Sequence, residues 1–203
     1  MSVATQRTRR RQQREETRAQ ILGAAREFLR ERSFRELSVD ALMTRTGHPR
    51  TVFYRHFDDV PSLVLALIEE EGRELVEMAQ DWAQTERVGP DVARQRLAAF
   101  VDFHARNGPL VHAISEAAHH DELVEQAYGA MVEGFIAITA QAIQARVDSG
   151  EVGELDAPEV ARALIHMLNG YLEDTFGRGR EVSAERALDV VWTIWTRTLF
   201  PAS

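Results

Sequence analysis

The stretch LSVDALMTRTGHPRTVFYRHF, residues 37–57, decides the fold. Ser38 is a good helix N-cap, because its hydroxyl can accept a hydrogen bond from an otherwise orphaned amide. Behind it Val39, Ala41, Leu42 and Met43 supply the apolar face of a short helix. Thr46-Gly47-His48-Pro49 then breaks the pattern: Gly47 admits a positive φ, and Pro49 pre-sets the first turn of a further helix over about residues 49–56. In that helix Val52 and Phe53 are expected to point inward, leaving Arg50, Thr51, Tyr54 and Arg55 outward. Two short helices joined by a tight Gly-containing turn make a helix-turn-helix unit, whose second helix fits a DNA major groove.

Upstream, Ile21, Leu22, Ala25, Phe28 and Leu29 share one face of a helix expected over residues 15–32. The run Arg7 to Arg14 has no periodicity, so residues 1–14 read as a disordered basic arm and residues 15–57 as the DNA-binding head. Downstream, residues 58–203 read as long amphipathic helices over about 60–84, 90–106, 109–118, 121–149, 157–177 and 184–199. Gly89-Pro90, Asn107-Gly108-Pro109, Gly150 to Gly153, Pro158 and Gly177 to Gly179 mark the joints. No run alternates with a period of two, so the fold class is all-α: a three-helix head on a six-helix body.

Charge separates the same two parts. The chain carries a net −8, yet residues 1–57 hold 13 Arg against 6 acids, while residues 58–203 hold 11 Arg against 26 acids. A basic head on an acidic body brings the head to a polyanion and keeps the body away from it. All 24 basic residues are Arg, whose planar fork suits phosphate and guanine. The absence of Cys rules out disulfides and thiolate chemistry, and no run of eighteen apolar residues occurs, so a cytoplasmic protein without a membrane partner is expected.

Residues 37–57, preceded by ILGAAREFL at 21–29, resemble the DNA-binding region of the tetracycline-repressor (TetR) family over about residues 19–63. A weaker likeness, in VWTIWTRTLF at 191–200 and the Phe-rich helix near residue 100, points to the ethionamide-resistance-repressor branch. The resemblance implies a homodimeric, ligand-responsive transcriptional repressor that binds a palindromic double-stranded operator and is released by a small, largely apolar effector. An activator of the same fold, or a helical protein-binding adaptor, is the alternative. Carried over by position, the resemblance assigns Ser38, His48, Arg50, Thr51, Tyr54, Arg55 and His56 to the DNA side. Arg9, Arg10 and Arg11 of the arm either enter a minor groove or remain solvated. The chain departs from the family at three places: His48 replaces an apolar residue, Pro49 a capping Ser, and Val60 a Lys.

In the body, the large apolar and amphipathic side chains make either plain core or a ligand pocket. The candidates for lining it are Phe100, Phe103, His104, Leu110 and Ile114, then Tyr128, Met131 and Phe135, then Met167, Leu168, Tyr171 and Trp195. The last two helices have more apolar surface than their own body can easily cover, so Leu164, Leu172, Leu188, Val191 and Trp192 are expected at a two-fold dimer interface. His112, Glu116, His119 and His120 have a spacing that could hold a metal but straddle a helix junction, and no metal or cofactor is assigned. A phosphate loop, a nucleophile elbow and an HExxH motif are all missing, which excludes the common enzyme classes.

Overall fold

The computed structural model describes residues 3–83 and 89–199, with side chains from residue 6 onward except those of 79–88. Eight α-helices and no strand occur among them. The head comprises α1 (Val3–Glu31), α2 (Val39–Thr46) and α3 (Arg50–Phe53); a 3-10 turn, Phe34–Glu36, joins α1 to α2. The body comprises α4 (Val60–Ala83), α5 (Pro90–Ala118), α6 (Glu122–Asp148), α7 (Ala157–Leu172) and α8 (Ala184–Leu199). A π-helical turn, Glu173–Gly177, follows α7. Phe200 and the end of the helix expected over 60–84 lie outside the described residues.

Three expectations need correction. The arm expected to be disordered is helical from Val3, as a continuation of α1. Its Arg, Gln, Glu and Ala residues are all good helix formers, and pairs one turn apart tie it together: Arg11 to Glu15 at 2.9 Å and Gln12 to Glu16 at 3.1 Å. Conversely, the helix expected over 49–56 is shorter. Pro49 is its N-cap, the helix proper ends at Phe53, and Arg55 and His56 close a tighter turn through amides donated to the carbonyls of Val52 and Phe53.

Lastly, the break expected at Asn107-Gly108-Pro109 is absent, and α5 runs through it. Pro109 removes one backbone hydrogen bond from the helix interior, a cost of ~3 kcal/mol in an isolated helix. Packing offsets it: Asn107, Gly108, Leu110, Ala113 and Ile114 are all buried around this point. Gly108 is there for space, since a Cβ on it would lie 2.5 Å from the backbone of Phe176 in the π-turn.

The caps explain the remaining boundaries. The Ser38 hydroxyl accepts from the Ala41 amide at 3.2 Å, and Gly47 ends α2 with φ 70°. Asp121 accepts from the amides of Leu123 and Val124, and Asp156 from that of Glu159.

Two apolar clusters hold the molecule together. The first contains the head residues Ile21, Phe28, Leu42 and Phe53, but also Leu63 and Leu67 of α4 and Leu110 and Ile114 of α5. It therefore crosses the boundary expected after Phe57, and head and body share one core. The second lies among α4, α5, α6, α7 and α8, with Leu75 contributed by α4.

Candidate nucleic-acid interface and effector cavity

On the head, Gly47 and Pro49 turn α3 so that Phe53 is sealed in the core while Thr51, Tyr54 and Arg55 are exposed; Tyr54 is 49% accessible. Val52 is half-buried, His48 and His56 likewise. Arg50 is exposed and held: its guanidinium donates to both Asp40 carboxylate oxygens at 2.9 and 3.2 Å and to the Tyr54 hydroxyl at 3.1 Å. Such an exposed pair orients the fork at little cost in stability, and a phosphate or guanine edge can take over from the carboxylate.

The helical arm builds the other wall. Arg10, Gln13, Arg14 and Thr17 lie on one face of α1 and enclose, with His48, Val52, Arg55 and His56, an open groove of about 650 Å³. Arg14 is tied to the head by a 3.2 Å bond to the Arg55 carbonyl. Arg9 and Arg11 lie about 100° round the helix on either side of this face, and Arg11 is paired with Glu15. Burial, and then the charges of Arg14, Arg18 and Arg55, push the His56 imidazole below its ordinary pKa. Sequence periodicity could not have shown Asp40 beside Arg50, because the pairing depends on the angle between two helices.

In the body, two small cavities share a wall. One, of about 50 Å³, is lined by Met78, Arg96, Leu97, Ile138, Thr139, Ile165, Leu168 and Trp195. The other, of about 30 Å³, is lined by Leu75, Phe103, His104, Val111, Ile114, Tyr128, Met131 and Asn169, among others. Phe100 and Phe135 line both and meet edge to face, with centroids 6.0 Å apart. Tyr128 and Asn169 also border an outer groove of about 460 Å³ between α5, α6 and α7. His104 is 4% accessible, and its Nδ1 donates to the Phe100 carbonyl at 3.0 Å. Burial pushes its pKa down to about 4, so the imidazole is neutral at pH 7.

Of the twelve side chains expected at a ligand site, nine line one of these cavities. Leu110 belongs instead to the core shared with the head. Met167 and Tyr171 are half-buried on α7 and line neither cavity. Met78, Arg96, Leu97, Ile138 and Thr139 were missed, for their own helices show nothing that distinguishes them from ordinary packing or surface residues.

The expected dimer residues also fall differently. Leu164, Leu172, Leu188 and Val191 are at most 7% accessible within their own chain, and Trp192 is half-buried. They pack α7 and α8 onto the body, so they have little surface left for a partner. Among the residues these helices expose are Ala163, His166 and Gly170 on α7 and Val190, Thr193 and Ile194 on α8, beside the charged Glu185, Arg186, Asp189 and Arg197.

The histidine-rich segment joins elements rather than gathering around one point. His112 pairs with Glu173 at 2.8 Å, His119 bonds the Ser115 carbonyl at 2.7 Å, and His120 faces Phe34. Glu116 binds Arg35 at 2.9 Å and accepts from the Phe34 amide at 3.3 Å. Arg30 donates to Asn107 at 2.6 Å, and Arg26 to Glu70 and Glu71. Head and body are thus pinned at α4 and α5.

The family model of the transcriptional regulator EthR, C-terminal domain, matches residues 93–201, just over half of the chain. The chain belongs to the EthR family of transcriptional regulators. Its whole fold is that of the broader TetR family. A TetR-family regulatory protein from Rhodococcus RHA1 is similar with a TM-score of 0.76 at 16% identity, over 92% of this chain and 98% of that one. GusR of Salmonella enterica gives 0.70 at 21% identity, over 91% and 95%. The regulator FadR of Bacillus subtilis, solved with stearoyl-CoA, gives 0.67 at 17% identity, over 91% and 99%. These likenesses establish the fold, and the family match makes the chain a transcriptional regulator rather than an enzyme. No helix among the described residues is long and apolar enough to cross a membrane.

Proposed function

We propose that this EthR-family protein is a cytoplasmic repressor that binds a palindromic operator as a homodimer and is released by an effector held between α5, α6, α7 and α8. The observation that carries the reading is the exposed Arg50–Thr51–Tyr54 edge beside an arginine-lined groove, on a head whose core is continuous with a cavity-bearing body. Arg50 and Thr51 reach base edges, Tyr54, Arg55 and Ser38 reach phosphates, and Arg10 and Arg14 follow the adjoining backbone. The exposed faces of α7 and α8, with Val190 and Ile194 at their centre, pair across a two-fold axis in a four-helix contact. Two recognition helices then fall roughly 34–36 Å apart, one duplex turn.

The cavities are far below the ~300 Å³ of an ordinary ligand site, so binding requires side chains in their shared wall to move. Phe100 on α5 stands in that wall, Met78 on α4 lines the larger cavity beside it, and both helices carry head contacts. To lower operator occupancy a hundredfold, an effector has to favour the released arrangement by ~2.7 kcal/mol per dimer.

The test is titration of the purified protein into DNA flanking its own gene at two salt concentrations, beside an unrelated duplex. Sequence-selective, salt-sensitive binding by two protomers or a multiple is expected. Weak and equal binding to both duplexes, at every salt concentration and across a genomic fragment library, would sink the reading.

A further inference from the structure

The arginines on the exposed side of the head are in two different states. Arg50 is neutralised where it stands: its Nη1 donates to both oxygens of the Asp40 carboxylate at 2.9 and 3.2 Å, and its Nη2 donates to the Tyr54 hydroxyl at 3.1 Å. Its guanidinium carbon lies 5.7 Å from the centre of the Tyr54 ring. Asp40 stands in the first turn of α2, Arg50 opens α3 and Tyr54 closes it, so two elements of the helix-turn-helix share this contact. The Asp40 side chain is 70% accessible and pairs with no second cation among the described residues. By contrast, Arg10, Arg14 and Arg55 line the open groove beside α3, no carboxylate lines it with them, and none of the three has an ion-pair partner among the described residues. The two states suit different work. A free guanidinium is drawn to any phosphate, which gives affinity without sequence information. Of the five N–H donors on Arg50, the Nε–H and one on Nη2 have no partner among the described residues. Two donors are what O6 and N7 of a guanine accept. The Asp40 carboxylate repels a phosphate drawn to those donors and leaves a neutral base unopposed. An exposed pair of this kind contributes little to stability, so its effect is on aim and charge.

We propose that Asp40 is the specificity-determining partner of Arg50: it holds the guanidinium against Tyr54 and neutralises it, so that Arg50 reads a guanine instead of gripping the DNA backbone. The inference rests on the reading of α3 as the recognition helix, and it adds a positioning residue on α2 that touches no base itself. Without the carboxylate, Arg50 joins Arg10, Arg14 and Arg55 as a free cation, and the head gains affinity for DNA of any sequence while losing its choice of base.

The full-length protein is titrated by fluorescence anisotropy into its operator, into operators with each base pair replaced in turn in both half-sites, and into an unrelated duplex, over a range of salt concentrations. Arg50→Ala is expected to abolish the preference at the one G·C pair that Arg50 reads, a loss of about tenfold. Asp40→Asn is expected to cut the preference at that same pair to about threefold or less, to tighten binding to the unrelated duplex by about threefold, and to steepen its salt dependence by about one released counterion. Asp40→Glu is expected to keep most of the preference. Added to Arg50→Ala, Asp40→Asn is expected to change the preference at no base pair, which separates an action through Arg50 from a base contact by Asp40 itself or a plain loss of repulsion. An undiminished preference at that pair in Asp40→Asn, a preference lost at some other pair, or weaker binding to the unrelated duplex overturns the inference. If Asp40→Asn melts early, Asp40→Ser carries the same comparison with the same consequences. An Arg50→Ala protein that keeps every base preference of the parent removes the role of Asp40 and leaves the DNA-binding regulator standing. A parent protein that selects no operator removes both.

Discussion

Replacing Gly108 by Ala tests the close crossing of α5 and the π-turn. In a solvated helix this exchange stabilises, because Gly is worth up to ~1 kcal/mol less than Ala. Here the added Cβ lands 2.5 Å from the Phe176 carbonyl carbon and 2.6 Å from both its oxygen and its Cβ. Two of those atoms are backbone, so no rotamer change relieves the clash, and the helix and turn have to part by roughly 1 Å to reach ordinary contact. The crossing is tight from both sides, since a Cβ on Gly177 would meet the His112 Cβ at 2.7 Å. Overpacking of this kind costs ~1–3 kcal/mol. For a chain of this length that lowers the melting temperature by roughly 2–12 °C. Gly134→Ala supplies the control: it lies exposed within α6 with nothing within 4 Å of its new Cβ, and it should gain ~0.4–1 kcal/mol. Melting both variants beside the parent by circular dichroism or calorimetry decides the matter. A Gly108→Ala protein that melts at or above the parent would refute the reasoning.

Other outcomes follow from the same geometry. Arg50→Ala and Tyr54→Ala should each weaken operator binding by tenfold or more in a gel-shift titration while leaving the melting temperature unchanged, since both side chains are exposed; a lowered melting temperature would make them structural props. His104 has a folded pKa of about 4 against an ordinary value near 6.5, so below pH 6.5 the unfolded chain takes up a proton that the folded one refuses. Stability is therefore complete above pH 6.5 and falls by up to roughly 3 kcal/mol towards pH 4, and His104→Leu should flatten that part of the pH–stability curve. Val190→Arg with Ile194→Arg should give a folded monomer by sedimentation, whereas Leu164→Ala should lower the melting temperature and leave the association state unaltered.

Most of the fold was legible because its signals are local. The Ser38 cap, Gly47 at the turn and the apolar spacing of Ile21 to Leu29 each act within one or two turns of chain, and each is where the sequence placed it. Local rules failed where tertiary packing overrode them. Gly108-Pro109 reads as a stop, but the space under Gly108 is filled by Phe176, nearly seventy residues further on. The polar arm lacks an apolar stripe, yet pairs such as Arg11–Glu15 keep it helical. For the expected dimer residues, the apolar stripes of α7 and α8 were legible, but how much of them the same chain covers depends on packing that periodicity does not contain. Of the cavities, the sequence disclosed the aromatic side chains and Met131 through their size. Arg96 and Thr139 escaped because a polar residue on an amphipathic helix is ordinarily solvated.

The fusion of the two expected helices into α5 bears on how an effector could act. Had the chain broken at residues 107–109, the cavity residues Leu97, Phe100 and His104 would sit on one element and the head contacts of Glu116 on another. One continuous helix puts both on the same body, with Asn107, which holds Arg30 of the head, between them. Pro109 leaves that helix one hydrogen bond short beside Asn107, and a helix bends most cheaply where its ladder is interrupted. Gly108, pressed against Phe176, supplies a fulcrum at the same place. On the proposed function, widening the wall at Phe100 would tilt the cavity half of α5 about this point, and the first head contact to feel the strain would be Arg30–Asn107. Met78 lies in the same wall on α4, whose own first turns carry Leu63 and Leu67 of the head core. Both helices that join head to body thus reach the cavity, and on the proposed function a ligand that enlarged it would act on the two supports of the recognition helix together.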